Sequence, residues 1–167
     1  SGNPFMHMSL VRVNRMRRLM EYQANLDRNR LTVQCTDHLR ILDVLEPAPG
    51  DVSVSWLPLS HDMGLVGMLL SSLLAAHPAR VGGGCIGLMR PSTFVRSPWR
   101  WLQACSELGA TFTSAPDFAL KLTALASGRV GPIDLSPLRA CIVGGEPVSP
   151  TTLNAFEAVF SAQGFSS

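Results

Sequence analysis

The sequence is poor in charge. Asp, Glu, Lys and Arg make up only 16% of its 167 residues, and Lys121 is the sole lysine. Hydrophobic residues make up 46%, and this balance excludes an intrinsically disordered chain, which has too little apolar surface to offset the entropy of folding. A chain of this length can bury the core of about one domain. The composition therefore predicts a globular, ordered protein.

A long apolar run is also missing. The longest, residues 65–76, is interrupted by Gly67, Ser71 and Ser72 and is shorter than the roughly 20 residues of a membrane-spanning helix. No secretory signal pattern is recognisable. No CxxC pair and no histidine at metal-ligand spacing accompanies the four cysteines, which are Cys35, Cys85, Cys105 and Cys141. These absences predict a cytoplasmic protein without a membrane span.

Positive charge is concentrated near the N-terminus. The formal net charge is only +2, and the excess lies in the stretch RVNRMRR between Arg12 and Arg18. Aromatic side chains, which stack on bases in nucleic-acid surfaces, do not interleave these arginines. The stretch therefore indicates the solvated face of a helix, and no nucleic-acid partner is expected.

Strand patterns alternate with helix patterns from Asp51 onward. Strands are predicted over 52–56, 84–89, 110–115 and 138–145, and helices over 65–77, 97–109, 116–128 and 149–164. Pro98 and Gly109 mark the start and the end of the helix 97–109, and Ser149 and Pro150 mark the start of the helix 149–164. Alternation at this spacing indicates βαβ units and a parallel sheet covered by helices. Ligands of such sheets bind at the carboxyl ends of the strands, where this chain has the segments 57–64, 114–117 and 144–148.

The segment SHDMG places His61 beside Asp62. The two residues cannot form a catalytic triad with the adjacent serine, because neighbouring side chains point in divergent directions. Asp62 is predicted to cap the helix that follows. For His61 the sequence leaves two interpretations open, a structural histidine or a pocket wall.

The segment GGEPVSP is the stronger site candidate on physical grounds. Gly144 and Gly145 let a flat ligand approach the backbone, Glu146 adds an acceptor, and Pro147 restricts the turn. A simple connection between a strand and a helix remains the alternative. A third pattern, His38 and Asp43 in H-x4-D spacing, matches glycerolipid acyltransferases, but residues five apart share a helix face poorly. An acyltransferase is kept as a minor hypothesis.

Three long segments, taken together, resemble one family: VSWLPLSHDMGLVG, LMRPSTFVRSPWRWLQACSELGATFTSAPDFALKL and LRACIVGGEPVSPTTLNAFEAVFSAQGF. In order and spacing they are similar to fatty acyl-AMP ligases of the adenylate-forming superfamily, over roughly residues 31–166. The resemblance implies an α/β fold, with parallel-sheet βαβ units from an incomplete large N-terminal domain. Residues 31–167 would form a partial AMP-binding domain. Residues 1–30 stay unplaced and have the pattern of a basic amphipathic helix.

The resemblance also implies a reaction. Such enzymes activate a fatty acid with ATP and Mg²⁺ to an acyl-adenylate and pass the acyl group to an acyl-carrier protein or a polyketide synthase. By the same resemblance, one group of residues would line the acyl pocket: His61, Met63, Gly64, Ser114, Ala115 and Phe118. A second group would hold adenine: Gly144, Gly145, Glu146 and Pro147.

Departures from the family pattern limit this expectation. Asp117 stands where the family has asparagine, which would place a charge near an apolar tunnel. The Ser/Thr/Gly-rich phosphate loop, the aromatic-Gly-x-x-Glu motif for magnesium, the ribose-binding aspartate and the catalytic lysine of the lid are not recognisable. This chain alone is therefore expected to be inactive and to bind no ATP or Mg²⁺ tightly. A non-catalytic module that binds a fatty acid or a protein is the alternative. Exposed strand edges predict self-association.

Overall fold

A four-stranded parallel sheet organises the chain in the computed structural model, which describes residues 48, 50–75 and 84–166. All of these residues belong to one compact unit, Val44–Ser167. The strands are β1 (Val52–Ser55), β2 (Cys85–Leu88), β3 (Phe112–Ala115) and β4 (Ala140–Val143), in the spatial order β2-β1-β3-β4. The predicted α/β class with a parallel sheet is confirmed. The segment 1–30 and the pair His38 and Asp43 lie outside the described residues.

Helices alternate with these strands. The first, α1, consists of the α-helical turn Asp62–Gly64, the π-helical stretch Leu65–Leu70 and the α-helical stretch Ser71–Ala75. The others are α2 (Pro91–Arg96), α3 (Trp99–Leu108), α4 (Asp117–Leu125) and α5 (Pro150–Phe160), with 3₁₀ turns at Ser127–Arg129 and Ser161–Gln163. The sequence did not predict α2, because its six residues are too few to show a helical period.

Helices cover both faces of the sheet. The Ser53 hydroxyl of β1 lies 2.7 Å from that of Ser72 in α1. On β3, Thr113, the register partner of Val54, accepts a hydrogen bond of 2.8 Å from the indole of Trp101 in α3. Successive residues of a strand point to opposite faces, so α1 and α3 lie on opposite sides. Trp101 is fully buried in the core.

The helix boundaries follow the predicted Pro and Gly signals at two places. Pro150 occupies the first turn of α5 behind the N-cap Ser149. Gly109 ends α3 with a φ of 61°, the left-handed conformation that favours glycine. The expected positions of these two ends are confirmed.

The predicted cap of α1 is wrong. His61, not Asp62, is the N-cap, and its Nδ1 accepts a hydrogen bond of 3.2 Å from the Met63 amide. Asp62 is the first helical residue and is exposed. Helix α1 begins before residue 65 because Gly64 fits directly against the Pro58 carbonyl, where any Cβ would collide.

Asp51 joins three strands at the amino edge of the sheet. Its buried carboxylate accepts hydrogen bonds from the Ala48 amide (2.7 Å), the Thr111 hydroxyl (2.9 Å) and the Arg139 guanidinium (2.6 Å). Burial alone would raise the pKa of Asp51, but the hydrogen bonds and the charge of Arg139 outweigh burial and hold the pKa below its ordinary value.

Candidate functional site

Segments from three strand ends converge at the carboxyl edge of the sheet. A Cβ placed on Gly145, after β4, would lie 3.8 Å from the Met63 sulfur and 4.0 Å from Cε1 of His61, both after β1. A Cβ on Gly144 would lie 3.9 Å from the same sulfur. Strand β3 separates β1 from β4 in the sheet, so this contact passes over the end of β3. The structure thus brings the predicted acyl-pocket and adenine-binding segments together.

The glycine pair presents bare backbone. Gly145 has a φ of 79°, which strongly favours glycine, and the Gly144 amide donates a hydrogen bond of 3.4 Å to the Ala115 carbonyl at the end of β3. Gly145, Glu146 and Pro147 are exposed, whereas Gly144 is half-buried. We call residues Gly144–Pro147 the glycine strip. It has no Cβ at its first two positions and is open to a flat ligand.

The predicted acyl-pocket residues differ in exposure. Ser114 and Ala115 are fully buried, His61 and Met63 are half-buried, and Phe118 is 45% exposed. Among the described residues the buried Ser114 hydroxyl has no hydrogen-bond partner. Gly64 is buried against the Pro58 carbonyl, so it shapes the turn that presents His61 and Met63.

The Phe118 ring packs against a stacked pair of aromatic side chains. The Trp56 ring, directly after β1, meets Phe118 edge-on with centroids 6.2 Å apart and stacks on Phe94 of α2 at 3.7 Å. Sequence analysis missed Trp56 and Phe94 as neighbours of the site. A large aromatic residue at the end of a predicted strand was the available signal for Trp56, and nothing local marked Phe94.

Two carboxylates link the helices that start at this edge. Glu146 accepts a hydrogen bond of 2.8 Å from the Phe118 amide. Asp117 accepts one of 2.8 Å from the Ser149 amide and one of 3.0 Å from the Thr152 hydroxyl. Both oxygens of Asp117 are therefore bonded at the start of α5. That its charge lies near an apolar tunnel stays a prediction.

The hydrogen bond at His61 defines its tautomer. Because Nδ1 accepts from the Met63 amide, the neutral ring has its proton on Nε2. The half-buried imidazole therefore caps α1 while its Cε1 lies beside the glycine strip. Of the two interpretations that the sequence left open, the structural one is confirmed by this cap, and the role of His61 as a pocket wall stays a prediction.

The described residues support neither a metal site nor a thiolate nucleophile at Cys105 or Cys141. They contain no group of three or more His, Cys, Asp or Glu side chains that could hold a metal ion. Cys105 is buried and Cys141 is half-buried, and desolvation raises the pKa of each thiol to about 12, so neither is a thiolate nucleophile near neutral pH. No described helix has both the length and the apolar character needed to cross a membrane.

Comparisons with known proteins bear on the family and the fold of this chain. The AMP-binding enzyme family matches residues 22–166. The long-chain-fatty-acid–AMP ligase FadD32 of Mycobacterium marinum is 38% identical over 136 residues, which cover 77% of this chain and 20% of that protein. The medium-chain-fatty-acid–[acyl-carrier-protein] ligase TtuA of Teredinibacter turnerae is 37% identical over 114 residues, covering 67% of this chain and 17% of that protein.

Solved structures show the same fold. A fatty acyl-adenylate ligase from Legionella pneumophila, in complex with acyl adenylate and pyrophosphate, has a TM-score of 0.66 at 28% identity, covering 79% of this chain and 22% of that one. The adenylation domain of a keto acid-selecting peptide synthetase module has a TM-score of 0.68 at 28% identity, covering 77% and 23%.

The chain spans 20% or less of the length of the two curated relatives described above. Its similarity to fatty acyl-AMP ligases, inferred from three sequence segments, is confirmed. The chain belongs to the AMP-binding enzyme family.

Proposed function

We propose that this chain supplies part of the substrate site of an enzyme that activates a fatty acid with ATP to an acyl-adenylate. The observation that supports the proposal most directly is the meeting of His61 and Met63 with Gly144 and Gly145 over the end of β3. A ligand that places one end on the glycine strip and the other beside Phe118 would have its reacting centre between them.

The reaction follows from this placement. A carboxylate oxygen of the fatty acid attacks the α-phosphorus of ATP, a new P–O bond forms, and the bond to pyrophosphate breaks with pyrophosphate as the leaving group. Positioning and charge stabilisation supply most of the rate in such phosphorus chemistry. The residues of this chain contribute positioning, because no lysine or arginine occurs among the predicted site residues.

We assign the acyl side to Phe118, Ser114 and Ala115, with His61 and Met63 near the carboxylate end. Ser114 and Ala115 at the end of β3 have small side chains, which a passing acyl chain would require, and the exposed Phe118 ring offers an apolar wall. Gly64 acts on the same region through the turn it makes against Pro58.

We assign adenine to the strip Gly144–Pro147. The bare backbone and open exposure of this strip fit a flat ring, and the φ of Gly145 keeps the turn in place. Among the described residues no group of three or more His, Cys, Asp or Glu side chains could hold Mg²⁺, and the phosphate loop, the magnesium motif and the lid lysine of the family are not recognisable in the sequence. We therefore expect this chain alone to be inactive and to bind neither ATP nor Mg²⁺ tightly.

The acceptor of the acyl group is proposed to be an acyl-carrier protein or a polyketide synthase. The Teredinibacter turnerae relative is a medium-chain-fatty-acid–[acyl-carrier-protein] ligase, which supports this class of acceptor.

ATP–pyrophosphate exchange tests the proposal. The complete protein in which this chain occurs should exchange labelled pyrophosphate into ATP with laurate or palmitate, and the isolated chain should not. His61→Ala should weaken fatty-acid binding by the complete protein. Binding of fatty acid without any exchange would overturn adenylation in favour of a non-catalytic binding module.

A further inference from the structure

We propose that Asp117 and Glu146 are positioning residues that hold the acyl side of the site in register with its adenine side. Two segments are joined: the β3 corner, residues 115–118, and the β4 corner, residues 144–149. The inference rests on the proposed function for what each corner binds. The link itself rests on hydrogen bonds between the corners.

Each carboxylate belongs to one corner and bonds to the other. Glu146 of the β4 corner accepts from the Phe118 amide at 2.8 Å, and Asp117 of the β3 corner accepts from the Ser149 amide at 2.8 Å. Asp117 also accepts from the Thr152 hydroxyl at 3.0 Å, one turn into α5. We call these three bonds the reciprocal clamp.

The clamp replaces caps that the two helices lack. Neither N-cap residue, Pro116 of α4 or Ser149 of α5, makes a side-chain capping bond of its own. The first amides of a helix need acceptors, and its positive N-terminal end favours a carboxylate. The start of each helix therefore donates a backbone hydrogen bond to a carboxylate of the other corner. If either corner shifted, these hydrogen bonds would break.

The clamp connects the two sides of the site directly. The Phe118 amide donates a hydrogen bond to the Glu146 carboxylate, and Glu146 directly follows Gly145 in the chain. The Phe118 ring also meets Trp56 at the end of β1. A movement of the glycine strip would thus also move the Phe118 ring, which forms the proposed apolar wall. For a reaction that depends on aligning a carboxylate with a phosphorus atom, such register determines the rate more than the affinity.

The clamp differs from the adenine contact expected for Glu146 from the family resemblance, and the two roles make different predictions. If Glu146 touches adenine, Glu146→Ala raises the KM for ATP and Asp117→Ala does not. If the clamp operates, both variants lower kcat by about 10- to 100-fold. The KM for ATP and for the fatty acid then changes by less than about threefold.

Conservative variants separate the clamp from general damage. In Glu146→Gln and in Asp117→Asn an amide oxygen still accepts the backbone N–H, and the side-chain amide nitrogen introduced by Asp117→Asn can donate to the Thr152 hydroxyl. Both should therefore retain most of the activity that the alanine variants lose. The double variant Asp117→Ala/Glu146→Ala should lose little more than either single one, since both bonds act as a unit. Asp134→Ala, which removes an exposed carboxylate bonded only within its own turn at Ser136, is the control and should leave the activity unchanged.

Hydrogen exchange gives a readout that does not need turnover. In the complete protein, Glu146→Ala should speed exchange of the Phe118 amide by at least about tenfold, while Glu146→Gln and Asp134→Ala leave it slow. Faster exchange in a protein without adenylating activity would retain the clamp and reject the proposed function. Unchanged exchange in Glu146→Ala, or a rise in the ATP KM confined to that variant, would overturn the clamp even in an active enzyme.

Discussion

Carboxylates accept hydrogen bonds at both edges of the sheet, but they connect different parts of the fold. At the amino edge the buried Asp51 bonds to groups beside three strands, including Thr111 and Arg139. At the carboxyl edge Asp117 and Glu146 bond to amides of neighbouring corners and leave the strip at Gly145 exposed. The carboxylate at the amino edge joins strands, whereas those at the carboxyl edge join corners, which we propose are held in register by them.

The largest effect is expected at the amino edge. Asp51→Ala removes the acceptor for the Ala48 amide, the Thr111 hydroxyl and the Arg139 guanidinium. The free energy of unfolding of the complete protein should fall by about 3 kcal/mol in chemical denaturation. Glu146→Ala should reduce that free energy less, because Glu146 is exposed. An equal loss in both variants would contradict the division of roles between the edges.

A pH dependence of stability is expected from Asp51 at the amino edge. The pKa of Asp51 lies below its ordinary value of about 3.8. Its stabilising contribution is therefore complete above that value and is lost as the pH falls through the lower folded pKa. Acid unfolding monitored by circular dichroism should show a shallower pH dependence in Asp51→Asn than in the wild type. Identical profiles would mean that Asp51 does not titrate as its hydrogen bonds require.

Two glycines with similar positive φ angles allow a matched comparison of the edges. Gly145 has a φ of 79° and Gly50, beside Asp51, a φ of 86°. Alanine at either position should cost about 1–2 kcal/mol of stability because the left-handed conformation is strained. Gly145→Ala should in addition weaken adenine-nucleotide binding, measured by calorimetry on the complete protein. Gly50, with open space around it, provides the control that should bind normally.

The smallest stability effect is expected at His61. His61→Ala removes the acceptor for the Met63 amide and should cost about 1 kcal/mol. Asparagine at this position can cap the helix, so His61→Asn should restore the thermal stability but not the fatty-acid affinity. Recovery of both properties would show that the ring is needed only as a cap.

Local patterns predicted most of the fold. The β-branched run at Val52–Ser55 and the Pro and Gly signals around α3 and α5 identified elements that the structure contains. Short-range chemistry misled the assignment of one cap, because both His61 and Asp62 can accept an amide hydrogen and only the turn at Gly64 decides which of them does. Helix α2 was not predicted, because its six residues are too few to show a helical period of apolar residues.

Sequence motifs alone were sufficient to indicate the family, the parallel α/β class and the three segments that meet at the carboxyl edge. They did not show that Glu146 bonds to an amide 28 residues away, or Asp117 to one 32 residues away. A period of two or 3.6 residues tells which face of an element is apolar, whereas the partner across a gap depends on the strand order β2-β1-β3-β4. That order is a property of the whole sheet, so the clamp and the meeting of His61 with the glycine strip were decided by the tertiary structure.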